Sequence, residues 1–216
     1  MNIQSPNSIS RNAAVINQSD YEAWFNEISE SENISDVKLD HVVLSGLTAP
    51  QFDWRECCLD TCRLIGAVMR SSYFCDVTFK NCDFSNSVLA SCTFNRVEFI
   101  SCKLTGANIH NSNFSDVMFK DCIADYAIFT DATSRGIAFS GCILKETQLN
   151  DIAGKNYSFE ECDLSRANFS STALRGVNLT SCDIQGITVS EHELRGAIVT
   201  APQACELAKL LGVIIV

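Results

Sequence analysis

Large apolar residues return at every fifth position from Ile34 to Val199, as in Phe74, Phe79, Phe84, Leu89, Phe94, Phe99, Leu104 and Ile109, and the frame never gains or loses a residue. Two places before each of these centres stands a small or β-branched residue, and the other three positions are largely polar. Two inward positions in five fit neither the 3.6-residue period of a helix nor the alternation of a strand. A fixed repeat of this kind reads as stacked units before any local propensity is weighed. A longer period contains the shorter one: Cys62, Cys82, Cys102, Cys122, Cys142, Cys162 and Cys182 stand twenty apart, as do the centres Phe79, Phe99, Phe119, Phe139 and Phe159. Five nested in twenty describes a four-sided coil with like side chains stacked in inner columns.

The flanks carry other signals. Residues 1–18 are polar and turn-rich and predict a flexible arm. Residues 19–33 predict a capping helix, started by Ser19 with Glu22 and striped by Tyr21, Trp24, Phe25 and Ile28. Residues 34–199 form the coil, whose open ends need covering because they present unpaired backbone groups. Residues 200–216 predict a second helix, capped by Thr200 and Gln203 with Pro202 in its first turn, stopped at Gly212 and followed by the apolar tail Val213-Ile214-Ile215-Val216. Glycines at the last place of the repeat, Gly46 and Gly66 among them, mark corners that need positive φ. Within the coil, Pro50, Phe52 and Trp54 predict a distorted early turn. Ser134 and Gly154 are undersized centres stacked on one side, and Ile137, Ile152 and Tyr157 are large enough to fill the space they leave, or a shallow groove opens there.

Composition narrows the function. With 46% hydrophobic residues in 216, the chain buries a sizeable single core. Twelve cysteines without paired CxxC spacing read as small packing residues rather than metal ligands or disulfides. His41, His110 and His192 have no acid or nucleophile at useful spacing, His192 falls on an inward position, and no catalytic or nucleotide motif is present. The expectation is a protein without enzymatic activity, metal or cofactor. A formal charge of −10, from 26 acidic against 16 basic residues, opposes binding to nucleic acid or an anionic membrane. No run is long and apolar enough to span a bilayer, and the first residues lack a signal-peptide pattern, so a soluble cytoplasmic protein is expected. Carboxylates recur at corners: Asp36, Glu56, Asp76 and Asp116 on one, interrupted by Arg96, and Asp131, Asp151 and Glu191 on another. Like charges on neighbouring rungs repel, so these columns are a candidate acidic partner-binding surface.

The segments Ala107-Asn108-Ile109, Ala167-Asn168-Phe169-Ser170-Ser171 and Val177-Asn178-Leu179-Thr180-Ser181 resemble the pentapeptide repeat family. That resemblance implies an all-β solenoid, a right-handed quadrilateral β-helix with short capping helices at both ends, about 40 Å long at the usual inter-strand spacing. The stretch from Leu194 to Val213 further resembles the C-terminus of the Qnr and MfpA-like group. The likeness implies a homodimer joined through Leu207, Leu210, Leu211, Val213, Ile214, Ile215 and Val216, and a bacterial DNA mimic that binds DNA gyrase or topoisomerase IV and modulates it or protects it from quinolones. The unbroken frame places the chain with the loopless members. A structural or adaptor scaffold for another protein, or an immunity protein against a gyrase-targeting toxin, is the alternative.

Overall fold

The computed structural model describes residues 3–11, 13–28, 32–154 and 156–214, leaving aside the side chains of residues 27 and 28. The core is a four-sided parallel β-helix. Strands Asp53–Asp60, Tyr73–Lys80, Thr93–Ile100 and Asn113–Lys120 pair in parallel, each residue with the one twenty further on. The other two sides are held by single bridges at the same offset, from Val43–Arg63 and Thr48–Val68 to Asn178–Ile198. Every pairing within the coil keeps this offset, so no loop is inserted.

The five-residue frame has a local physical basis. Corner residues adopt left-handed φ, from Asp36 (54°) through Asp76 (57°) to Ser171 (59°), whether or not they are glycine. Gly136 alone among the corner glycines does not. The Asp or Asn before many centres stabilises the turn: Asp83 Oδ1 accepts from the Ser85 N–H at 2.9 Å, and Asn168 Oδ1 from the Ser170 N–H at 3.0 Å. These are side-chain mimics of a backbone turn.

Inside, like stacks on like. Phe79, Phe99, Phe119, Phe139 and Phe159 are buried and form a column with ring centroids 4.6–5.3 Å apart. Trp54, Phe74, Phe94 and Phe114 form a second. Phe84 and Phe129 meet the first column edge-on, the geometry the ring quadrupole favours. The cysteine column is buried throughout, and it does more than fill space. The thiols of Cys82, Cys102 and Cys122 donate to the carbonyls of Leu59, Phe79 and Phe99 in the coil below at 3.3–3.4 Å. Ser112 and Thr172 do the same for Leu89 and Leu149. The small inward position is therefore a place for a compact donor, which explains why Cys, Ser and Thr share it.

Several sequence expectations change. The first helix, α1, spans Gln18–Ile28 and is capped by Asn17, whose Oδ1 accepts from the Ser19 N–H at 3.0 Å, not by Ser19. Tyr21, Trp24 and Phe25 pack on the core, with Phe25 stacked on Phe52; the Ile28 side chain lies outside the described residues. Pro50 causes no distortion. The neighbouring Ala49 and Gln51 N–H groups hold the rung, Trp54 is buried, and the equivalent N–H in later coils makes no rung hydrogen bond, so proline costs nothing there. Glu191–Leu194 is a helical turn, α2, which puts His192 in solvent rather than inward. Where Phe114 would continue its column, Ser134 and then Gly154 stand. The chain closes in until a Cβ on Gly154 would lie 2.1 Å from the Ser134 carbonyl oxygen. Ile137 is buried there, and Ile152 and Tyr157 are half-buried against the core.

Candidate interaction surface

The corners carry the outward chemistry, and the two acidic columns have different fates. Asp131 and Asp151 face solvent on one corner, and Glu191, expected to continue that column, faces solvent from the first turn of α2. On the other, Glu56 is exposed and Asp36 and Asp116 are half-buried, but Asp76 is only 5% exposed. Arg96, one rung above, grips both Asp76 oxygens, Nε at 2.7 Å and a terminal nitrogen at 2.6 Å. The Arg96 hydrogen bonds hold the Asp76 carboxyl down at about 2, against an ordinary value of 3.8. Asp76 is thus a neutralised strut and not part of a free acidic face.

The N-terminal arm, expected from sequence to be flexible, lies along this corner and helps Arg96 to cover Asp76. Ala14–Ile16 pairs in parallel with Val37–Leu39, closing the open edge of the first coil. Before it, the arm runs back along the corner. The N–H of Ser10 donates to Asp36 at 3.0 Å, that of Asn7 to Asp76 at 2.9 Å, and that of Gln4 to Asp116 at 3.4 Å. The Asn7 side-chain amide adds a bond to the second Asp76 oxygen at 3.1 Å. Like-charge repulsion along this column is relieved by these donors and by Arg96.

The C-terminal end is apolar. The helix Ala201–Ala208, α3, opens with a capping box in which Thr200 accepts from the Gln203 N–H and donates its own to Gln203 Oε1. The Gln203 side-chain nitrogen also reaches the carbonyls of Leu179 and Cys182, both at 2.8 Å, so one residue caps the helix and ties it to the last coil. Leu207 packs on the core, whereas Leu210, Leu211, Val213 and Ile214 are 48–90% exposed. Leu210 and Leu211 border a cleft of about 480 Å³ also lined by Val189, Leu194, Val199 and Leu207. Ile215 and Val216 lie outside the described residues.

Among the described residues no His, Cys, Asp or Glu cluster could hold a metal ion, and no helix is long and apolar enough to cross a membrane. Sequence reasoning put Arg96 in the same column as Asp76 but missed their pairing, because a column position does not say that the guanidinium folds back across one rung.

Family comparisons agree with this geometry. Residues 72–149 match the family described as pentapeptide repeat region, and residues 158–198 match pentapeptide repeats in eight copies. No curated protein matches the chain. Among solved structures, a trypsin-treated form of QnrB1, a plasmid-mediated fluoroquinolone resistance protein, is similar with 18% identity and a TM-score of 0.45, covering 85% of this chain and 90% of that one. HetL of the cyanobacterium Nostoc, a pentapeptide repeat protein involved in regulating heterocyst differentiation, is similar with 18% identity and a TM-score of 0.37, covering 77% and 89%.

Proposed function

The chain belongs to the pentapeptide repeat family, and from that premise we propose that it is a non-enzymatic rod of the bacterial cytoplasm that occupies the DNA-binding surface of DNA gyrase or topoisomerase IV. The observation that carries this reading is the solvent-facing corner of Asp131 and Asp151, with the exposed Glu191 beyond it on α2, on an uninterrupted rod of net charge −10. Neighbouring carboxylates such as Asp131 and Asp151 repel and lower stability, so a basic partner surface is what such a column fits. The resemblance of the C-terminal segment to Qnr and MfpA-like proteins supplies the identity of that partner. Two copies join through the exposed Leu210, Leu211, Val213 and Ile214, since an apolar patch at a rod's end is otherwise left in water.

Binding of the purified full chain to immobilised gyrase tests the reading, with duplex DNA as competitor. The account expects saturable binding that DNA displaces, that weakens as salt rises through the screening range, and that Asp131→Asn/Asp151→Asn reduces at least tenfold. Binding that DNA leaves untouched, or no binding to either enzyme, overturns it.

A further inference from the structure

The arm and the corner beneath it share a spacing. The three carboxylates that receive arm N–H groups, Asp36, Asp76 and Asp116, stand two rungs apart, about 9.6 Å at the usual inter-strand separation. The donors Ser10, Asn7 and Gln4 stand three residues apart, about 9.3 Å in a polyproline II strand, which also has three residues per turn. Three residues of an extended arm thus match two rungs of the rod, and the match repeats from Ser10 to Gln4. The side chains follow the same period: Ile3, Pro6 and Ile9 are half-buried while Gln4, Ser5, Asn7, Ser8 and Ser10 are exposed. Ile3 reaches Gly136, the corner one rung beyond Asp116, where a Cβ would sit 3.4 Å from its terminal carbon. Pro6, which has no N–H, stands at the same point of the period as Ile3 and Ile9, one residue before the donor Asn7. The arm belongs to no part of the buried core, and its hydrogen bonds are exposed or partly so, which are the marks of a segment that opens locally without unfolding the rest.

We infer that the Asp36–Asp76–Asp116 corner is a docking track for an extended peptide, with residues 3–10 as its resident occupant, and that it accepts in trans a disordered partner segment with an apolar side chain at every third residue and a free backbone N–H directly after each. The carboxylates read main-chain N–H groups through charge-assisted hydrogen bonds, so the partner is selected by spacing and not by basic side chains. Arg96 fixes the middle carboxylate in its receiving orientation. The tethered arm competes with any such segment at high effective concentration. This track is separate from the Asp131–Asp151 corner and stands whether or not the partner of that corner is a topoisomerase.

Two measurements on the full chain test it. In the unmodified protein, the amides of Gln4, Asn7 and Ser10 exchange with deuterium at least threefold more slowly than in a free peptide of residues 3–11, whereas Ser5 and Ser8 exchange at the peptide's rate. With the arm weakened by Ile3→Asp/Ile9→Asp, the fluorescently labelled peptide of residues 3–11 binds saturably and at least tenfold more tightly than to the unmodified protein. Adding Asp36→Asn/Asp116→Asn abolishes that binding, and a permuted peptide with its apolar residues four apart fails to bind. Uniform exchange along the arm, no saturable binding to the weakened-arm variant, or equal binding of the permuted peptide overturns the inference.

Discussion

Replacing Asp76 by Asn removes one charge without changing shape, and the structure sets the size of the effect. The carboxylate is 5% exposed and held at two points by Arg96 at 2.6–2.7 Å. Those bonds lower its folded pKa to about 2 from 3.8. A depressed carboxylate contributes stability that is fully present above its unfolded pKa and is lost as pH falls through its folded one. At about 1.4 kcal/mol per pKa unit, ionised Asp76 contributes about 2 kcal/mol at pH 7 and only a few tenths near pH 2. Urea unfolding of both proteins, followed by circular dichroism across that range, reads the difference directly. The gap between wild type and Asp76→Asn is expected to shrink from about 2 kcal/mol at pH 7 to a few tenths at pH 2. Any pH-independent cost of the substituted amide shifts both ends equally and leaves the slope intact. A gap that does not change with pH refutes the argument, because the pair would then contribute no differential ionisation energy.

Phe99→Ala removes a fully buried ring stacked on Phe79 at 4.8 Å and Phe119 at 4.6 Å; a loss of about 3–5 kcal/mol is expected, with amide exchange accelerated first in the adjoining coils. Gly154→Ala forces a Cβ to 2.1 Å from the Ser134 carbonyl oxygen at a φ of +106°, so loss of exchange protection over residues 133–159 is expected, and an unperturbed spectrum would contradict the close approach seen there. Thiol labelling of the native protein should modify the exposed Cys205 at once and leave the ladder cysteines until unfolding; burial also pushes the Cys92 thiol, in another inner column, up to about 12, and rapid native labelling of ladder thiols would contradict a dry inner wall. Leu211→Asp places a charge on a 66% exposed apolar residue of the C-terminal patch and should halve the mass seen by light scattering, an unchanged mass excluding the patch from the dimer contact.

The architecture was legible because burial in this fold is periodic. A residue's distance from Phe79 in fives and twenties fixes both its side and its depth, so the columns, the absence of inserted loops and the helix cap at Thr200 followed from spacing alone. What depended on neighbours in space was harder. Ser19 and Asn17 are both competent caps, and Asn17 wins because Ala14–Ile16 is committed to pairing with the first coil. Cys102 read as a small hydrophobe because sulfur's weak donation shows only once the Phe79 carbonyl is placed in the coil below it. His192 left its inward position because the capping box of Ser190 and Glu193 turns the chain into α2. The arm hid a three-residue apolar period in a polar stretch, and only the corner beneath it gives that period meaning. Asp76 looked like surface charge because the column gives Arg96 a place one rung away but not the side-chain geometry that closes it over both carboxylate oxygens. The end-to-end ladder therefore says where side chains point, while the partners of outward residues are set by what lies across them.

A supercoiling assay tests the central proposal most directly. Relaxed plasmid, gyrase and ATP are incubated with the full chain and, in parallel, with Asp131→Asn/Asp151→Asn, with and without a fluoroquinolone. The account predicts that stoichiometric protein changes the rate of supercoiling or the yield of drug-induced cleaved DNA, and that the variant needs about tenfold more protein for the same effect. Unchanged supercoiling and cleavage at every protein concentration, or equal potency of the variant, would contradict it.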